Sequence, residues 1–200
     1  IEAIQNRVLG NNYGNIAIMG LPRIGKTSLA WNALMLKKDE CSESGNFISF
    51  IYVGKLTSPE DFFKQLMCQT IDTIETLSNE RYQQLLERLN SILKEIKAIG
   101  TDKFEFNNLV YKFFRFIKRN GYRVTFILDE FDSVNNLFSI ADFQTLRQLS
   151  SQPETQICLI TISRRTIQEL EPQNGAISNF YGIFSDLRLG VFSKADLNDY

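Results

Sequence analysis

The run Gly20-Leu21-Pro22-Arg23-Ile24-Gly25-Lys26-Thr27-Ser28 constrains this chain more than any other segment, because it satisfies the pattern G-x-x-x-x-G-K-[ST] in full. Its flanks agree with it. Ile16-Ala17-Ile18-Met19 reads as a short buried strand, and Ser28-Leu29-Ala30-Trp31-Asn32-Ala33-Leu34-Met35 reads as an amphipathic helix. Glycines let a loop between strand and helix curl until its backbone N–H groups converge on an anion. The helix that follows adds free N-terminal amides and the positive end of its dipole. The pattern therefore predicts a phosphate cradle, with Gly20, Pro22, Arg23, Ile24, Gly25, Lys26, Thr27 and Ser28 as its binding residues. Lys26 would reach the outer phosphates and the Thr27 hydroxyl would ligate Mg²⁺.

The remaining chain alternates strand and helix. Residues 1–8 read as the end of a helix, 16–19 as a strand, about 26 to 37 as a helix, and Lys38 to Asn46 as a polar stretch. The β-branched and aromatic run 47–53 reads as a strand, and Ser58-Pro59-Glu60-Asp61 reads as a helix start with Ser58 as cap. Three apolar stripes at helical spacing follow. They are carried by Phe62 to Ile74, by Tyr82 to Ile96 ending near Gly100, and by Phe106 to Ile117. Further strands are expected at 124–128, 157–162 and 186–189, helices at 140–149 and 166–170, and a loop at 172–175. This predicts an α/β fold: a three-layer sandwich around a mainly parallel five-stranded sheet, order 5-1-4-3-2, with a helical insertion at about 60–119.

Composition excludes several classes of chemistry. The chain has no histidine, so imidazole cannot serve as acid, base or ligand, and Cys41, Cys68 and Cys158 are too scattered for a zinc site. Cys158 falls inside an apolar strand and reads as a small buried hydrophobe; this cysteine usage fits a reducing, cytoplasmic setting. A net charge of −1 provides no global attraction to nucleic acid or to an anionic membrane. No apolar stretch has the length of a membrane span. Ile1 is not an initiator and residues 195–200 read as a helix cut short, so residues 1–200 are expected to be a single domain excised from a longer multidomain protein.

Two further motifs fall at strand ends. Strand 124–128 runs into Asp129-Glu130-Phe131-Asp132. There Asp129 would hold Mg²⁺, directly or through water, and Glu130 would orient and polarise an attacking water. Asp132 reads either as part of this set or as a cap for the following turn or helix. Strand 157–162 runs into Ser163-Arg164-Arg165, where Arg164 would sense the outermost phosphate and Arg165 would face solvent or a neighbouring domain. Ligands of such sheets bind beyond the carboxyl ends of the strands, so all three motifs converge on one crevice. ATP or ADP with Mg²⁺ is the implied ligand, with Glu130 and Arg164 as the catalytic candidates and Thr27 and Asp129 as the metal candidates. ATP is favoured over GTP because no Asn/Thr-Lys-x-Asp base-reading motif follows the later strands.

In their order, these three motifs resemble the P-loop ATPases of the AAA+ class, and in Leu159 to Arg165 the related STAND signalling ATPases, whose first sensor strand ends in Thr/Ser-Arg. Leu187-Arg188-Leu189 with Phe192 to Asp196 is similar to the strand and small helix that close such domains. The resemblance implies a signalling or defence switch that exchanges ADP for ATP, changes conformation and self-associates. Its partners would be nucleotide, other copies or other domains, with nucleic acid reached only through other domains and no membrane. Three family features have no counterpart here: a Gly-Arg segment before the first strand, a following winged helix, and an arginine finger beyond Arg165. The resemblance thus implies slow turnover in isolation. Other readings are an initiator-like AAA+ ATPase acting on DNA, a nucleotide-gated scaffold that does not hydrolyse, and, last, a small-molecule kinase.

Overall fold

A computed structural model describes residues 1–10, 13–98, 102–171 and 178–190. The sheet has five strands: β1 (Asn15–Gly20), β2 (Asn46–Tyr52), β3 (Arg123–Asp129), β4 (Cys158–Ser163) and β5 (Phe184–Leu189). All pairings are parallel and the spatial order is β2-β3-β4-β1-β5, which is the expected order read from the other edge. The central strands β1, β3 and β4 are buried along almost their whole length, and this is why their sequences run apolar without alternation.

Helices cover both faces. Helix α1 (Glu2–Val8) packs on α2 (Lys26–Leu34), and α3 (Lys38–Glu43) packs on β2. The segment expected as an irregular polar stretch thus contains a helix. Its acidic residues Asp39 and Glu40 lie in the first turn, where they complement the dipole, and Cys41 and Ser42 turn inward. The predicted helix at 26–37 stays α-helical only to Leu34 and tightens into a 3-10 turn over Met35–Lys37.

The insertion between β2 and β3 consists of α4 (Pro59–Thr76), α5 (Gln83–Ala98) and α6 (Lys103–Arg119). Ser58 accepts a hydrogen bond from the Asp61 N–H at 3.0 Å, with Pro59 at the first helical position, as the sequence implied. The three apolar stripes turn inward and join Phe126, Phe131 and Leu159 in one core. The opposite face holds a smaller core of Ile4, Val8, Ala30, Leu34, Ile127 and Ile160. Helix α7 (Ile140–Ser151) and the short α8 (Ile167–Leu170) complete the fold. Strand β5 begins two residues earlier than expected. The expected loop at 172–175, the helix end near Gly100, and the closing segment at 192–200 lie outside the described residues.

Candidate active site at the carboxyl ends of the sheet

Strands β1, β3 and β4 deliver their three motifs to the same end of the sheet because they are parallel neighbours. A cavity of about 490 Å³ lies there, lined by Pro22, Arg23, Lys26, Thr27, Asp129, Glu130, Asp132, Ser133, Ile162, Ser163 and Arg164. Seven of the residues singled out from the sequence meet in it. Gly20, Ile24, Gly25 and Ser28 do not line it. Gly20 takes part through its carbonyl, Gly25 through its backbone conformation, and Ser28 is exposed. A larger cleft of about 1080 Å³ lies between α4 and α5, lined by Glu75, Glu80, Glu87 and Glu95 among others, and contains no motif residue. Chemistry, not size, locates the site.

Gly25 stands at the N-cap of α2 with φ 95°, a left-handed conformation that an L side chain rarely tolerates. Arg23 has φ 63°, so the loop reverses twice before the helix begins. Lys26 Nζ donates to the carbonyls of Gly20 at 2.7 Å and Leu21 at 2.9 Å, which folds its ammonium back across the loop. Partial burial lowers the pKa of Lys26; the negative charges of Asp132 and Asp129 oppose that shift, and Arg164 adds to it. An ammonium held at the loop mouth with incomplete solvation is poised for an anion.

The Thr27 hydroxyl donates to Asp129 Oδ2 at 3.0 Å, joining the start of α2 to the end of β3. Asp129 is buried, and its other oxygen accepts the Glu130 N–H at 2.9 Å. Two hard oxygen donors side by side suit Mg²⁺, which takes one or two protein oxygens and completes its shell with phosphate and water. Clusters of three or more acidic, cysteine or histidine ligands are absent among the described residues.

Glu130 has φ 55°, left-handed in a non-glycine residue, a cost of about 1–3 kcal/mol that concentrates at functional positions. Its carboxylate lies against Gly54, beyond the end of β2, where an added Cβ would stand 2.2 Å from Oε2. Sequence reasoning missed this contact, since Gly54 lies in no motif. The partners of Asp132 were the second thing missed, since the sequence left that residue open between this set and a cap. Its Oδ2 accepts the Arg164 N–H at 2.8 Å and its Oδ1 accepts the Arg165 N–H at 3.3 Å. The same carboxylate pairs with Arg164 Nε at 3.8 Å and Arg165 Nε at 3.5 Å. Asp132 therefore does not cap the following helix; Ser139 caps α7. Arg165 faces this carboxylate rather than solvent alone. The third acid of Asp129-Glu130-Phe131-Asp132 was visible in the sequence, but its partners were not.

Comparison with known proteins bears on the family and the fold. Residues 10–170 match a family model described as an AAA domain. No curated protein matches the chain. Among solved structures, the Aeropyrum pernix ORC2 protein (ADPNP-ADP complexes) superposes with a TM-score of 0.64 at 14% identity, over 99% of this chain and 48% of that one. Drosophila ORC bound to DNA gives 0.63 at 13% identity, over 99% and 44%. The Aeropyrum pernix ORC1 protein in complex with DNA gives 0.60 at 16%, over 99% and 45%. At such identities the likeness concerns the fold, and the chain spans about half the length of each of these structures.

Proposed function

We propose, from the premise that this chain belongs to the AAA domain family, that its crevice binds ATP and ADP with Mg²⁺ and acts as a slow, nucleotide-controlled ATPase switch. The observation that carries this is the Lys26 ammonium folded over the loop carbonyls beside the Thr27–Asp129 pair, within one cavity. In this reading the loop amides and Lys26 hold the β- and γ-phosphates. Thr27 and Asp129 hold Mg²⁺, which would neutralise charge on the transferring phosphoryl group. Glu130 orients and polarises the attacking water, and Arg164 stabilises charge on the γ-phosphate.

The output of the switch has two readings. Action on DNA, in the manner of an initiator, is supported by the fold shared with ORC proteins whose structures contain DNA, and we take it as the leading one. The Ser163-Arg164-Arg165 strand end favours the second, a STAND-type signalling switch that self-associates. No helix among the described residues is long and apolar enough to cross a membrane.

Equilibrium binding of labelled ATP and ADP with Mg²⁺, compared with Lys26→Ala, tests the core of this reading. Binding that disappears in the variant, with turnover below the ordinary enzyme median of ~10 s⁻¹, is the expected result. Binding that survives Lys26→Ala, or steady turnover above that rate, overturns it. ATP-dependent DNA binding that weakens with rising salt separates the initiator reading from nucleotide-driven self-association without DNA.

A further inference from the structure

Asp132 is bound to the sensor strand more tightly than a surface carboxylate needs to be. It lies three residues after Asp129, on the turn that leaves β3, and its side chain is only 13% exposed. Both its oxygens point at the segment that leaves β4. Each accepts a backbone N–H, from Arg164 and from Arg165, and each faces a guanidinium Nε. The Asp132 carbonyl accepts a further bond from Arg165 Nη2 at 3.4 Å. On the other side, the Ser163 hydroxyl donates to the Arg165 carbonyl at 2.6 Å, closing the turn. The backbone at Arg164 is thus fixed at both sides, while its side chain is 66% exposed.

The two kinds of contact have different strengths. The N–H bonds to a mostly buried carboxylate are charge-assisted, and the one from Arg164 is short at 2.8 Å while that from Arg165 is longer at 3.3 Å. The Arg164 Nε pair at 3.8 Å is long and solvated, and such pairs contribute little. A ligand anion in the cavity can therefore draw the Arg164 side chain away from Asp132 without disturbing the amides. Asp132 and Arg164 both line that cavity together with Lys26.

We propose that Asp132 is a positioning residue that sets the preference of the site for triphosphate over diphosphate, by anchoring the Arg164 backbone while holding its guanidinium in reserve until a γ-phosphate competes for it. This rests on the nucleotide-binding reading above. An anchored backbone keeps the reach of Arg164 short and lowers the ordering entropy of its engagement. The carboxylate is also a competitor, so it restrains the preference for ATP that Arg164 would otherwise give.

Asp132→Asn separates these two effects, because the amide oxygen can still accept one backbone N–H but carries no charge. Dissociation constants for labelled ATP and ADP, both with Mg²⁺, are measured for the parent chain, Asp132→Asn, Asp132→Ala, Arg164→Ala, the double variant Asp132→Asn/Arg164→Ala, and Lys26→Ala. The expected result is a rise of about two- to fivefold in the ATP-over-ADP preference for Asp132→Asn, the size of a weak solvated pair. In Asp132→Ala the preference falls to that of Arg164→Ala, because the anchor is gone. The double variant shows no gain. A gain that persists without Arg164 overturns the proposal in favour of simple charge repulsion by Asp132. Unchanged preference in both Asp132 variants, with binding still lost in Lys26→Ala, overturns it while leaving the nucleotide site standing. Absence of nucleotide binding by the parent chain overturns the site and, with it, the proposal. Thermal melting of each variant shows that the chain is folded when the constants are read.

Discussion

Single residues in the crevice are arranged so that charge, not bulk, decides what happens there. Glu130 is the sharpest case, since its left-handed backbone aims a carboxylate past Gly54 at the edge of the cavity. Glu130→Gln is expected to keep nucleotide affinity within about twofold and to lower turnover by at least about 10²-fold, the low end of what a positioned base contributes. Gly54→Ala reaches the same carboxylate from the other side. The added methyl would clash with the flexible end of Glu130 and meet the Ser133 hydroxyl at an ordinary 3.4 Å, so the chain should fold normally while the carboxylate is displaced. Turnover is expected to fall by about tenfold with little change in melting temperature. Single-turnover hydrolysis beside a binding isotherm checks both variants. Equal losses of affinity and turnover would mean that Glu130 holds the ligand rather than activating water.

At the scale of elements, stability and site are carried by different parts. The start of α4 depends on a serine cap that does not line the cavity, with Asp61 N–H bonded to Ser58 Oγ at 3.0 Å. Ser58→Ala is expected to cost about 1 kcal/mol. For a domain of this size that lowers the melting temperature by roughly 2–4 °C. Nucleotide affinity should not change. The division also explains what the sequence made legible. Motifs that bring chemistry on consecutive residues, such as Gly20 to Ser28 and Asp129-Glu130, could be read directly, and parallel β-strands bring their ends together of necessity. Periodicity gave α4, α5 and α6 because each buries one long stripe. Helix α3 was not legible, since six residues with two inward-facing side chains produce no stripe. The Asp132 anchor and the Gly54 contact were not legible for another reason. Both join residues from different strand exits, and no local pattern encodes which loops will touch.

Taken as one molecule, the domain gathers its motif residues at one end of its sheet and a network of buried polar contacts at the other. At the amino ends of the strands a buried polar layer pins β1, β3 and β4 together. Asn15 Oδ1 accepts the Leu159 N–H at 2.8 Å, Thr125 donates to Asn46 at 3.0 Å, and Tyr13 donates to the Val124 carbonyl at 2.8 Å. Cys158 Sγ reaches the Gly14 carbonyl at 3.3 Å. A satisfied network of this kind rigidifies the strand framework. It also makes the fold sensitive to alkali. Burial pushes the Cys158 thiol up to about 12, and burial followed by the nearby Cys158 charge raises the Tyr13 phenol well above its ordinary value. Both groups are neutral when protonated and hold their protons more tightly in the folded chain than in the unfolded one. Their contribution is therefore complete below the unfolded thiol's pKa of about 8.5 and declines as pH rises toward the folded values. Melting temperature should thus be flat near neutrality and fall steadily from about pH 9 upward. Cys158→Ala should start lower, because it removes buried volume, yet lose less between pH 8 and 10.5 than the parent chain. Parallel curves for the two proteins would show that the alkaline loss arises elsewhere, and that this end of the sheet is held by packing rather than by its protonated groups.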